Sequence, residues 1–192
     1  MQVLFDFSRL FILQFATMEP TGVVTDDEVW RLGVKAVVNE FRILTHDQLT
    51  SLKAGAEELI ALKAAMQEVV EKVNCAAICA TCGGECCVRG KYHFSAIDLV
   101  VYLLTGKKLF EPRFANGRCS YLAEDGCLMP PQYRPFNCVT FVCEQIEVHL
   151  PTSDKEFFYA AEGKLRLVYK ELQGMFTDCR MRGSVMSYVQ AS

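Results

Sequence analysis

Long apolar runs, clustered positive charge and histidine are all scarce in this chain of 192 residues. The longest uncharged stretch near the N-terminus, Leu10 to Met18, is nine residues, where roughly 20 are needed to cross a bilayer. No membrane span is therefore expected. Net charge is −3 and no Lys/Arg-rich run exists, so the electrostatic footprint of a nucleic-acid binder is missing. The three histidines are scattered. The motifs G-x-S-x-G, H-E-x-x-H and G-x-G-x-x-G are absent, which removes several familiar catalytic and cofactor signatures. Gly83-Gly84 is followed by no Lys-Ser/Thr pair, so it is not a phosphate loop. There is no internal repeat and no low-complexity tract.

Cysteine, by contrast, is abundant. Ten are present, and CATCGGECC at residues 79–87 holds four of them. The thiols are either paired as disulfides or held as thiolates by metal. A hydrophobic content of 51% can build a core without cross-links, whereas disulfide-dense scaffolds are usually short chains that cannot. Residues 1–24 are apolar, but Asp6 and Arg9 interrupt them and a basic start is lacking, so they make a poor export signal. Either Met18 is the initiator, or the segment packs on the domain as a short element, or it is a weak secretory or membrane signal. A reducing, cytoplasmic location follows by default, and there crowded cysteines point to metal or redox chemistry.

The rest of the chain reads as helical. Thr25 to Glu28 forms a capping box, and Trp30, Val34, Val37, Phe41 and Leu44 then mark one helical face. Thr45 to Gln48 is a second capping box. From it Leu49, Leu52, Ala56, Leu59, Lys63, Met66, Val70 and Val73 form a heptad-like seam. Residues 25–74 are thus expected as two helices. The seam packs either on its own domain or, through residues 49–73, on a second copy or a partner helix. Lys63 is expected to lay its stem on apolar surface and keep its amine in water.

Residues 75–150 form the cysteine region. Within it Ser95 to Asp98 offers an N-cap for a short buried helix ending near Gly106. Residues 111–137 are rich in Pro and Gly breakers and are expected to be irregular, with metal ligation supplying what holds them. Ser153 to Glu156 is a third capping box, opening a helix over residues 151–174. Residues 175–192 show no periodicity and are expected to be a frayed tail.

Eight cysteines carry the chemistry: Cys79, Cys82, Cys86 and Cys87, then Cys119, Cys127, Cys138 and Cys143. Thiolates suit zinc and iron–sulfur clusters alike. Neighbouring side chains diverge in helices and strands, so Cys86 and Cys87 serve one ion poorly. Two four-thiolate sites or one polynuclear cluster would use all eight and tie residues 79–87 to residues 119–143.

This pattern resembles the CxxCxxCC zinc/iron-chelating (YkgJ-like) cysteine-cluster family. Cys79, Cys82, Cys86 and Cys87 match its first segment; Cys119, Cys127, Arg134-Pro135, Cys138 and Cys143 match its second. The match spans about 65 residues. It departs in having three residues between Cys82 and Cys86, and Met-Pro after Leu128. The resemblance implies a metal centre, iron–sulfur or zinc, and no defined reaction.

Secondary candidates surround this set. Cys75 and Cys179 lie outside the pattern; Cys75 is the better-placed spare ligand or redox thiol. His93 and His149, each six residues after a cysteine, could ligate metal or hydrogen-bond a thiolate, or be ordinary surface or structural histidines. Arg134 could offset thiolate charge or make a loop ion pair. Glu85 is a proton acceptor beside the cluster or an exposed loop charge. The expectation is a mainly α-helical protein, with long N-terminal helices and a C-terminal helix around an irregular cysteine-rich core that binds metal. The alternatives are a redox-active enzyme or sensor using an exposed cluster or spare thiol, and an exported disulfide protein.

Overall fold

The computed structural model describes residues 24–81, 90–114, 119–123 and 126–188. The expectation for the N-terminal segment falls outside these residues, as do Cys82, Glu85, Cys86 and Cys87. The chain is mainly α-helical. Helix α1 spans Asp26–Arg42 and α2 spans His46–Glu71. Both capping boxes close as read. The Thr25 hydroxyl accepts from the Glu28 amide (3.2 Å) while the Glu28 carboxylate accepts from the Thr25 amide (2.9 Å), and Thr45 and Gln48 do the same for α2. Asn74, with φ +54°, sits in the left-handed region that asparagine tolerates, and it turns the chain into α3, Cys75–Thr81.

Helix α4, Ala96–Thr105, starts on the Ser95–Asp98 capping box and stops at Gly106, whose φ of +62° closes its last turn. A minimal hairpin follows, β1 (Leu122–Ala123) antiparallel to β2 (Gly126–Cys127). Two short helices come next, α5 (Phe136–Thr140) and α6 (Glu144–Glu147). The last long helix, α7, spans Thr152–Gly174. It begins one residue before the expected Ser153 cap. Pro151 is its N-cap, with no side-chain hydrogen bond; proline's fixed φ sets up the first turn, and the Ser-x-x-Glu match falls inside the helix.

The seam of α2 is covered within the chain. Leu52, Ala56, Leu59, Met66 and Val70 are buried, and α2 packs along α7, which contributes Phe158, Ala161, Leu165, Val168 and Leu172. Gly55 lies against Leu172, where a Cβ would crowd the leucine methyl. Packing on its own domain therefore accounts for the seam.

Lys63 does not behave as expected. Its side chain is 1% exposed, and its ammonium donates to Asp98 Oδ1 of α4 (3.0 Å) and to the Arg134 carbonyl (2.7 Å). The Tyr169 hydroxyl of α7 donates to the same Asp98 oxygen. The Ser95 hydroxyl and amide donate to the other, at 2.7 and 3.0 Å. Asp98 and the Arg134 carbonyl replace the amine's hydration, and a partner 35 residues away cannot be read from the seam.

The C-terminal segment is a second correction. Phe176, Met181, Val185, Met186 and Tyr188 are buried. Two 3₁₀ turns, Cys179–Arg182 and Val185–Ser187, carry most of them, and such short turns leave no helical period to detect. Residues 94–96 pair with residues 183–185 through Val185 N–H to Phe94 O (2.9 Å) and Ala96 N–H to Gly183 O (3.0 Å). Any side chain at Gly33 of α1 would run into the Val185 carbonyl.

Aromatic rings hold much of the irregular region. Trp30 of α1 stacks at 5.5 Å on Phe94, 5.7 Å on Phe110 and 6.2 Å on Tyr121, and Tyr102 meets Tyr133 at 5.0 Å. These contacts pack Phe110, Tyr121 and Tyr133 against α1 and α4.

This packing predicts three effects on stability. Asp98→Ala strands a buried ammonium and should cost about 3–5 kcal/mol in urea unfolding. A Lys63→Met, Asp98→Asn double-mutant cycle should show a coupling of about 0.5–3 kcal/mol; additive effects would mean the pair is not energetically linked. Met186→Ala should cost about 2–5 kcal/mol, whereas a frayed tail would give almost no change.

Candidate metal centre

Four of the eight expected ligands are described with their side chains. Cys119 follows residues 115–118 and precedes the buried pair Ser120 and Tyr121; it is half-buried. Cys127 is exposed on β2. Cys138 lies in the first turn of α5, half-buried, its amide donating to the Pro135 carbonyl (3.0 Å). Cys143 is the half-buried N-cap of α6, its carbonyl accepting from Ile146 and Glu147. Cys79 lies on α3, where the backbone alone is described.

The fold brings the flanks of residues 82–89 against the second cysteine group. On one side α3, which carries Cys79, packs on α2 and on α6, the helix that Cys143 caps. On the other side Gly90 abuts Cys119 so closely that a Cβ at residue 90 would overlap the sulfur. Three residues further on, His93 Nδ1 lies 3.4 Å from Cys138 Sγ. Burial holds the His93 pKa below its ordinary value, so the ring is neutral at physiological pH. A neutral imidazole can accept from a thiol, donate its single N–H to a thiolate or ligate a metal.

Tyr121 reports on the same neighbourhood. Its hydroxyl donates to the Lys91 carbonyl (2.8 Å), and burial raises its pKa strongly, with Cys119, Cys138 and Asp98 adding to the rise. Cys119 and Cys138 therefore both lie within electrostatic reach of one phenol. Cys127 acts instead on Tyr102, whose hydroxyl is buried with no hydrogen-bond partner among the described residues. Such an orphan costs about 1–3 kcal/mol. Among the described residues, no group of three or more His, Cys, Asp or Glu side chains is placed to hold a metal ion.

Arg134 makes no ion pair among the described residues. Its guanidinium reaches Gln67 Oε1 and the Met129 carbonyl, both at 3.4 Å, and it lowers the pKa of Cys75. It is thus a half-buried cation near Cys75, with no loop ion pair among the described residues. Cys75 is 9% exposed, and burial raises its pKa above 9.0 despite Arg134. That environment belongs to a core thiol, not a nucleophile. Cys179 is exposed in the first C-terminal 3₁₀ turn, and His149 is exposed after α6. His93 is a secondary candidate in the sequence, and only the pairing of residues 94–96 with the C-terminal segment reveals why it meets Cys138.

Compared with family models, with curated proteins and with solved structures, the chain finds no match.

Thiol labelling provides a direct check. In the folded protein at pH 8, Cys179 should be alkylated by iodoacetamide well before Cys75, because a pKa above 9.0 leaves little thiolate and burial blocks access. Unfolding in guanidinium should abolish the difference, as read by peptide mass spectrometry. Fast labelling of Cys75 in the native state would restore it as a redox thiol.

Proposed function

We propose that this chain is a metal-binding cysteine-cluster protein, holding zinc or an iron–sulfur cluster through Cys79, Cys82, Cys86, Cys87, Cys119, Cys127, Cys138 and Cys143. The observation that carries the reading is the bracketing of residues 82–89. Their N-terminal flank α3 packs on the helix capped by Cys143, and their C-terminal flank runs past Cys119 at Gly90 and past Cys138 at His93. The described flanks of that segment thus lie beside Cys119, Cys138 and the helix that Cys143 caps. The donor set is soft, which suits zinc and iron–sulfur and disfavours magnesium or calcium. The cysteine pattern's likeness to the CxxCxxCC family supports the same reading.

When bound, the metal would supply either a closed structural knot or a one-electron centre. The chain's own residues divide the remaining work. His93 supplies a neutral ring beside Cys138, able to orient that sulfur or to share a proton with it. Arg134 supplies positive charge toward the thiol side. Trp30, Phe94, Phe110 and Tyr121 hold the second cysteine loop in place from behind, so ligand positions do not depend on metal alone.

Metal and acid-labile sulfide analysis, with a visible spectrum on protein purified without air, tests the reading. Equal iron and sulfide with a brown colour, or zinc on colourless protein, is the expected outcome. Metal-free protein with its cysteines as disulfides would overturn it. Gly90→Ala should push Cys119 out of place and lower the metal retained per chain several-fold. The far-UV circular dichroism should hardly change, since residue 90 lies outside the main helices.

A further inference from the structure

His93 also lines a cleft of about 290 Å³. Helix α7 contributes Arg166 and Lys170 to one wall, the C-terminal segment contributes Arg182 and Ser184, and α5 contributes Asn137. Among the described residues no Asp or Glu lines this cleft, although the chain as a whole carries a net charge of −3. Arg166 and Lys170 are one turn apart and share a helix face. Arg166 is held in place: it donates to Glu162 (2.6 Å), which offsets part of its charge, and its guanidinium lies 5.1 Å above the Phe136 ring. Lys170 and Arg182 are exposed and have no carboxylate partner among the described residues. The one acid behind the cleft, Asp98, already takes the Tyr169 hydroxyl and the Lys63 ammonium.

Cations delivered from two separate elements into one concavity focus a positive field there. The cleft, at about 290 Å³, sits at the low end of ligand pockets, which run roughly 300–1,000 Å³, and so suits a small ligand. We propose that it binds a small molecule bearing a divalent oxyanion, either a phosphoryl group or a pair of carboxylates. Lys170 of α7 and Arg182 of the C-terminal segment supply charge from two elements, Arg166 supplies a fixed fork, and the Asn137 amide supplies a neutral donor. The ligand would lie beside His93, one side chain from Cys138. The inference stands on the cleft and does not require that Cys138 bind metal.

Isothermal titration of the full-length protein with inorganic phosphate and, separately, with succinate at constant ionic strength tests this. Saturable binding of one anion per chain is expected for at least one of the two; phosphate alone would assign a phosphoryl ligand and succinate alone a dicarboxylate. Lys170→Glu and Arg182→Glu should each weaken binding about tenfold or more. Both positions are exposed, so the unfolding midpoint without anion should barely move; Lys170→Met serves as the second variant if either charge reversal unfolds the chain. No saturable binding of either anion, or unchanged affinity in the variants, overturns the proposal. Metal content measured on the same samples keeps the two readings apart, because a metal-free protein that still binds anion refutes only the cluster.

Discussion

The Lys63–Asp98 pair is the contact on which most of the arrangement hangs. Each side chain is 1% exposed, so each has surrendered its hydration, a loss worth several kcal/mol per ion. Only a complete set of partners offsets that. Lys63 finds Asp98 and the Arg134 carbonyl, and Asp98 finds Lys63, Tyr169 and both donors of Ser95. Three helices and one loop thereby meet at a single polar point. Apolar packing between α2 and α7 tolerates small slides, because one leucine contact substitutes for another. The polar point does not. Shifting any of the four elements by one turn would leave a buried charge or hydroxyl without a partner. The pair sets the alignment of the fold, and the surrounding leucines and methionines supply its mass.

The thiol neighbourhood inherits its geometry from that point. Arg134, whose carbonyl is pinned to Lys63, is four residues before Cys138, with Pro135 between them to start α5. Ser95, pinned to Asp98, is two residues after His93. The two sides of the His93–Cys138 contact are therefore fixed by opposite ends of one ion pair. The C-terminal segment reinforces the histidine side by pairing with residues 94–96. Residues that never touch a thiol thus decide which thiol meets which ring.

Local grammar explains what the sequence made legible. The capping boxes at Thr25, Thr45 and Ser95 each close within four residues, so composition and spacing reveal them, and Gly106 announces its own left-handed turn. The seam on α2 is visible because burial repeats with the helix. Lys63 departs from a snorkelling stem because its partner comes from another helix, which its seam position does not reveal. The C-terminal segment hides its burial because 3₁₀ turns bury residues without a 3.6-residue period. The Ser153 capping-box match lies inside the helix because Pro151, two residues earlier, is the N-cap. Among the cysteines, crowding was legible from the sequence; the neighbours of Cys119 and Cys138 depend on contacts spanning 29 and 45 residues.

The two sides of His93 carry opposite electrostatic demands. Any thiolate formed at Cys119 or Cys138 would add negative charge there, which is tolerable only with cations close by or with protons retained. Arg134 serves the side toward Cys75. Arg166, Lys170 and Arg182 line the cleft that His93 also lines, which puts their positive field on that side of the contact with Cys138. An anion seated in the cleft would neutralise those cations and make a thiolate at Cys138 more costly; an added proton or metal there would relieve the cost. By linkage, a thiolate at Cys138 would weaken anion binding by the same factor by which the bound anion disfavours that thiolate. A half-buried neutral imidazole between two such sites is well suited to pass the effect across, because moving one proton from one ring nitrogen to the other changes which side receives a donor.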